Sequence, residues 1–229
     1  MSDVDAIRTS GLTRYFGTRA VVKDLDFVVM RGSVVGLLGL NGAGKTTLIR
    51  MIMGLLSPTR GSCKILRQSS ESLTPELRSR IGYTVEGPYL YSWMRVTECE
   101  VFGRDTFPRW NREMFYESVD RFGIDTSQKV SWLSRGQRAG VSLSSTISSN
   151  PEVLVLDDPA LGLDPVSRRA LNETILDFCA SGDRTVLLSS HLLDDIERVA
   201  DRIAIMIAGR LLVDTTLDEF RARIIGLEH

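Results

Sequence analysis

Long apolar runs are missing from this 229-residue sequence. No stretch approaches the ~18 residues that would span a bilayer. The longest, 34–40 and 51–56, are interrupted by glycines and fit a buried strand and a buried helix. Any action at a membrane therefore requires recruitment by a partner. Cysteine is scarce, and Cys63, Cys99 and Cys179 lie far apart without metal-ligand spacing, which fits a reduced, cytosolic compartment. Histidine is scarcer. The closing Leu227-Glu228-His229 reads as a cloning scar followed by a trimmed tag, so His191 is the histidine with a native role, and a natural chain continuing past Gly226 stays open. There is no basic excess: the net charge of -1 gives no reason to expect a nucleic-acid partner. Nor does the acidic, polar opening MSDVDAIRTS look like a signal peptide.

What is present is an alternation of short β-type runs with helical patterns, which predicts an α/β fold with a mostly parallel sheet. Residues 33–38 (SVVGLL) are apolar on both faces, as a central strand is. A glycine-rich turn follows, and then 46–56 carries the apolar density of a buried helix. Further strands are predicted at 153–156, 185–188 and 203–207. Alternating segments at 20–29 and 61–66 suggest antiparallel strands at the edge of the core. Residues 88–150 combine aromatics, scattered charge and helical spacing, and predict a helical subdomain inserted into the core. The expected organisation is one domain over 1–226: a core of about 1–87 and 151–226 with an N-terminal β subdomain, and the helical insertion of about 88–150.

Gly39-Leu40-Asn41-Gly42-Ala43-Gly44-Lys45-Thr46 matches the phosphate-binding pattern G-x-x-x-x-G-K-[ST], with a strand before it and a helix after it. The glycines permit positive φ, so successive N–H groups can face phosphate oxygens. The helix that starts near Gly44 turns its partial positive end to the same anion. Lys45 adds a charge for the β- and γ-phosphates, the Thr46 hydroxyl is an Mg²⁺ ligand, and Thr47 stands beside it. ATP and Mg²⁺ are the expected ligands.

Four further motifs follow in a recognisable order. Leu133-Ser134-Arg135-Gly136-Gln137 resembles the Leu-Ser-Gly-Gly-Gln signature of ATP-binding-cassette (ABC) ATPases. Residues 153–156 followed by Asp157-Asp158-Pro159 resemble the Walker B strand of that family, Gly162-Leu163-Asp164-Pro165 its D-loop, and Ser189-Ser190-His191 its switch histidine. The resemblance covers essentially the whole chain and implies a P-loop NTPase core with an antiparallel β subdomain and a helical subdomain. It also implies roles. Asp157 holds Mg²⁺, and Asp158 stands at the general base. His191 contacts the γ-phosphate, and Asp164 lies at a dimer seam. Phe16, in Thr13-Arg14-Tyr15-Phe16-Gly17, matches the aromatic that stacks on adenine, with Tyr15 close behind; plain core packing is the alternative for Phe16. Such ATPases pair head to tail, each ATP lying between the phosphate loop of one chain and the signature residues Ser134, Gly136 and Gln137 of the other. The implied partners are a second ABC ATPase chain, in a homodimer or heterodimer, and separate transmembrane subunits. They place the protein on the cytoplasmic side of a membrane, a bacterial inner membrane, without nucleic acid.

The sequence departs from that pattern at three places. Asp158 replaces glutamate, withdrawing the carboxylate by about 1.5 Å; misplacement on that scale can cost on the order of 10²-fold in rate, so either a slow base or a reach restored by local backbone shifts is expected. Arg135 stands where glycine is usual, with either crowding or attraction toward a phosphate as the outcome. Glu86, in Ile81-Gly82-Tyr83-Thr84-Val85-Glu86, replaces the Q-loop glutamine, which links Mg²⁺ and water to the membrane partner; it remains an oxygen ligand. Serines at 142–149 replace the alanine-rich helix more usual after the signature. The expected function is the ATP-hydrolysing subunit of a membrane transporter, an exporter, with 87–96 (GPYLYSWMRV) as the docking segment for a membrane chain; core packing of the helical subdomain is the alternative for Tyr89, Tyr91 and Trp93. A slow ATP-gated clamp, or the degenerate half of an asymmetric pair, is the alternative. A soluble ABC ATPase acting on DNA or ribosomes is disfavoured by the short separation between loop and signature and by the neutral charge.

Overall fold

The apolar runs become strands, and the stretches between them become helices, in a computed structural model that describes residues 5–85, 90–180 and 182–225. Glu86, the first part of the docking segment and the C-terminal Leu-Glu-His lie outside the described residues. The chain opens with β1 (Asp5–Phe16), β2 (Arg19–Met30), β3 (Val34–Leu38), α1 (Lys45–Ile52), β4 (Arg60–Ile65) and β5 (Gln68–Ser69). Then come α2 (Pro75–Arg78), β6 (Ile81–Thr84), α3 (Val96–Thr106), α4 (Arg112–Arg121) and α5 (Arg135–Ser148). The chain continues through β7 (Val153–Leu156), α6 (Pro165–Ala180), β8 (Thr185–Ser190) and α7 (Leu193–Glu197). It closes with β9 (Arg202–Ile207), β10 (Arg210–Thr216) and α8 (Leu217–Ile225). Among the described residues no helix is long and apolar enough to cross a membrane.

Two compact units form, one from Met1–Thr74 with Thr185–His229 and one from Pro75–Arg184. In the first, β1 pairs antiparallel with both β2 and β4, giving the antiparallel β part of the fold. Beside it run β10, β9, β3 and β8 in that order, with β3 parallel to β8 and to β9. Every residue of β8 is buried, as is β3 from Val34 to Leu37, which is the pattern of parallel strands covered on both faces. Gly36 has a packing reason. A Cβ there would stand 2.2 Å from the Ile196 side chain, so α7 rests directly on the β3 backbone. The Asp201 carboxylate accepts the Val34 N–H at 2.9 Å and fixes the start of that strand.

The helix expected over 46–56 is shorter: α1 ends at Ile52. Gly54, at φ 66°, takes the left-handed position just past it. Its N–H reaches the Met51 carbonyl, and the Leu55 N–H reaches the Arg50 carbonyl. This pair of bonds is the Schellman closure, and glycine makes it accessible without strain. A strand over Asp5–Phe16 was not among the expected elements; register shifts along it blur the alternation that would announce one.

In the second unit β6 and β7 pair in parallel, and all four residues of β7 are buried. Helices α3, α4 and α6 pack on α5. Gly140 of α5 lies under the Phe122 ring, and Gly103 of α3 under Trp110; a Cβ at either would stand within 2.4 Å of the ring. The serines of α5 are accommodated by bonding back along the helix. Ser144, Ser145 and Thr146 donate to the carbonyls of Gly140, Val141 and Ser142, and the Ser144 hydroxyl also hydrogen-bonds the buried Ser118 hydroxyl at 2.7 Å, which supplies the proton of that pair.

Candidate nucleotide-binding site

Strand β3 delivers the phosphate loop and α1 receives it. The Gly39 N–H donates to the Ser190 carbonyl at 3.2 Å, anchoring the loop to the end of β8, and the Ala43 N–H closes it on Leu40 at 3.0 Å. Gly42 and Gly44 have φ values of 80° and 107°, which favour glycine. Gly39 and Gly44 are also sterically closed: a Cβ would stand 2.6 Å from the Met206 carbonyl in the first case and 2.7 Å from that of Val21 in the second. At Gly42, by contrast, nothing lies within 4 Å of the missing Cβ. The loop is thus packed on its inner side and open at Gly42. Lys45 is 4% exposed, and its ammonium donates to the Gly39 carbonyl at 2.7 Å, so a buried cation lies across the base of the loop. Thr46 and Thr47 follow, half-buried, in the first turn of α1. The orphan N–H groups of that turn and the buried ammonium form the donor set that a polyphosphate needs.

Gly39, Asn41, Gly42 and Ala43 share the wall of one cavity of about 450 Å³ with His191, Leu193 and Ile205–Ala208. His191 leaves the end of β8. Ser190 belongs to the motif read from the sequence, but its partners Leu192 and Asp195 were not singled out: the Ser190 hydroxyl donates to Asp195 at 2.9 Å and accepts the Leu192 N–H at 3.0 Å, holding the turn that carries the imidazole. A serine next to the histidine and an aspartate four residues on are the only written signals of that clasp. In the same unit Tyr15 and Phe16 end β1, 37% and 50% exposed. Phe16 is therefore not a core residue, and the Arg14 guanidinium lies over its ring, 4.9 Å from the centroid.

The second unit carries the rest. Asp157, 3% exposed, follows β7, and its N–H donates to the Thr84 carbonyl at 2.9 Å. Asp158 comes next with φ 46°, a left-handed conformation that aspartate tolerates better than longer side chains. Ser134 caps α5. Its hydroxyl accepts the Gln137 N–H at 3.1 Å while the Gln137 carboxamide accepts the Ser134 N–H at 3.0 Å, a reciprocal capping box. Asp164 starts α6 by accepting the N–H groups of Val166 and Ser167 at 3.0 Å and the Ser167 hydroxyl at 2.6 Å. Those bonds, the Ser167 hydroxyl first, hold its carboxyl below the usual carboxylate range. Gly136 packs against the same Ser167, and Arg135 against Gly162. Among the described residues no group of three or more His, Cys, Asp or Glu side chains gathers as a metal site.

Comparison with known proteins decides the assignment. The family model described as ABC transporter matches residues 22–161. The chain belongs to the ABC transporter family. It is 31% identical over 219 residues to the bacitracin transport ATP-binding protein of Bacillus licheniformis, covering 95% of this chain and 72% of that one. It is 36% identical over 210 residues to the Nod factor export ATP-binding protein I of Bradyrhizobium diazoefficiens, covering 89% and 68%. A daunorubicin resistance ATP-binding protein of Streptomyces coeruleorubidus is 34% identical over 226 residues, covering 96% and 71%. Among solved structures, an ATP-binding subunit of an ABC transporter superposes with a TM-score of 0.82 at 29% identity, over 96% of this chain and 93% of that one. The protein is accordingly an ABC ATP-binding subunit with ATPase chemistry, built as α/β with parallel and antiparallel sheets.

Proposed function

We propose that this ABC subunit drives an exporter: it binds ATP with Mg²⁺, pairs with a second ABC ATPase chain, and transmits closure to separate membrane chains on the cytoplasmic side of a bacterial inner membrane. The relative named for Nod factor export supports the direction of transport, and those named for bacitracin transport and daunorubicin resistance support a transporter or resistance setting. The observation that carries the nucleotide reading is the sealed loop, where Met206 and Val21 carbonyls exclude any Cβ at Gly39 and Gly44 over a buried Lys45. That loop fits a polyphosphate, and Mg²⁺ held by few protein oxygens plus phosphates needs no larger carboxylate cluster. The ion would bring Lewis-acid charge to the phosphates, with the Thr46 hydroxyl, Asp157 and Glu86 as its protein ligands.

In this reading 1–226 is one cassette, with a core of about 1–87 and 151–226 and a helical part of about 88–150. Lys45 neutralises phosphate charge, Phe16 with Tyr15 stacks on the adenine, and His191 meets the terminal phosphate from the far side of its cavity. Asp158 takes a proton from the attacking water. Ser134, Gly136 and Gln137 open α5 toward the second chain's nucleotide, and Asp164 lies at the seam; both elements are solvent-facing in the single chain, since Ser134 and Asp164 are exposed. For the membrane chain, the second unit offers a cavity of about 220 Å³ walled by Tyr83, Tyr91, Phe102, Phe107 and Trp110, an apolar seat for a short helix.

Steady-state hydrolysis with and without Mg²⁺, joined to co-purification with the detergent-solubilised membrane chains, tests the proposal. The expected result is Mg²⁺-dependent turnover that Lys45→Ala abolishes, and loss of co-purification in Phe102→Asp with turnover kept. Turnover indifferent to Lys45→Ala, or membrane chains retained by Phe102→Asp, overturns the corresponding half.

A further inference from the structure

The signature turn carries a side chain where its family has glycine, and that side chain lies on the D-loop. A Cβ placed on Gly162 would stand 2.5, 2.6 and 2.8 Å from Nη1, Cζ and Nη2 of Arg135. Three nearly equal distances put the glycine against the flat face of the guanidinium rather than its donor edge. Gly162 has φ 69°. Glycine is favoured there by its backbone conformation, and a side chain added at this position would displace the guanidinium from its seat. One residue on, Gly136 faces the same loop: a Cβ would stand 2.0 Å from the Ser167 hydroxyl and 3.2 Å from the Asp164 carboxylate. The signature turn thus meets the D-loop at two points. The contact of Gly136 is glycine against hydroxyl, and the contact of Arg135 is one this chain adds. Arg135 also shares with Asp158, Thr84 and Ser142 the lining of a cavity of about 30 Å³, so the proposed base position lies near the tie.

We propose that Arg135 is a positioning residue for ATP hydrolysis: seated on Gly162, it locks the signature turn to the D-loop of its own chain, so that both engage a second chain as one body. The inference rests on the two-chain reading above. A planar, delocalised cation suits this seat, and the compact ammonium of lysine does not. Without the tie, the D-loop keeps its contact with Gly136 but loses the hold of the residue before it, and the two elements are less tightly coupled when they reach the second chain. Misplacement of about 1 Å at such a site costs on the order of 10²-fold in rate.

The test uses the full chain with Arg135→Ala, Arg135→Lys, Gly162→Ala and the double variant Arg135→Ala/Gly162→Ala. Hydrogen exchange of residues 160–167 reads the tie without any turnover, and is expected to speed up at least about fivefold in both arginine variants. In hydrolysis, kcat is expected to fall about tenfold in both arginine variants while KM for ATP stays within about twofold. Gly162→Ala is expected to lower kcat several-fold more in the parent than in the Arg135→Ala background, where the collision is gone and only the positive φ remains. Unchanged exchange in Arg135→Ala overturns the proposal. So does parent-level kcat in Arg135→Lys, or a raised KM at constant kcat, which would make Arg135 a direct nucleotide contact. A parent chain that hydrolyses no ATP sinks the transporter reading instead, and the exchange arm still decides whether the tie exists.

Discussion

Lengthening the carboxylate at position 158 sets two opposing effects against each other. Asp158→Glu adds one methylene, extending the reach by about 1.5 Å, and a base that is misplaced on that scale forfeits on the order of 10²-fold in rate. Restoring it corresponds to about 2.7 kcal/mol of transition-state stabilisation. Against this stands the backbone. Position 158 has φ 46°, where aspartate fits by local hydrogen bonding and glutamate does not. The left-handed region costs an ordinary residue roughly 1–2 kcal/mol, so the variant should be about 1 kcal/mol less stable. The two quantities appear in different measurements. With Mg²⁺ present, kcat should rise about 10- to 100-fold, because the strain is carried equally by the ground and transition states. Without nucleotide, the melting temperature should fall by about 2–4 °C, the shift that 1 kcal/mol produces in a chain of this size. A variant that turns over no faster than the parent refutes the argument about reach, and an unchanged melting temperature refutes the argument about φ.

Two further outcomes follow from charge and burial. Glu152 accepts from Arg80 at 2.6 and 2.7 Å and from Arg109 at 3.3 Å, and the Arg80 bond holds its carboxyl below the usual range. That depressed folded-state value contributes stability above the ordinary glutamate range near ~4.3, and the contribution is lost as pH falls through the folded value. Glu152→Gln should thus be less stable than the parent near neutrality, by no more than on the order of 1 kcal/mol because the groups face solvent, and the gap in urea midpoint should close on acidification; a gap constant with pH contradicts this. Burial pushes the Cys63 and Cys99 thiols up to about 11 each, so in the native protein at pH 7.5 a disulfide reagent should rapidly titrate Cys179 alone, and all three cysteines after unfolding. Rapid modification of more than one thiol in the native state counts against the packing around Cys63 or Cys99.

The parts of the fold that were legible from sequence share one property: their residue types are dictated by backbone geometry. The phosphate loop was readable because Gly39, Gly42 and Gly44 answer steric demands that no other residue meets, and β3 and β7 because strands covered on both faces must be apolar throughout. The early end of α1 was also written, at Gly54, but a continuing apolar pattern across 51–56 outweighed a single glycine. Other features were not legible because they depend on distant partners. Whether Arg135 reaches outward or folds back is decided by the empty space at Gly162, which only the tertiary structure places beneath it. The positive φ of Asp158 belongs to the turn after β7 and leaves no trace in residue type, since aspartate is at home in either conformation. The Ser190–Asp195 clasp needs the bend at His191 before its two ends can meet.

Gly36 limits how the histidine arm can respond to its ligand. With Ile196 seated where a Cβ would be, α7 has no clearance from β3, and sliding it would force a methyl group into the strand backbone. If His191 meets a terminal phosphate as proposed, loss of that phosphate should be relayed by the turn before α7 rather than by α7 travelling over the sheet. That turn is His191 and Leu192, which the Ser190 hydroxyl holds by accepting the Leu192 N–H. In that reading the sensing arm would be a lever with a fixed far end, its stroke set by one turn of backbone rather than by the helix behind it.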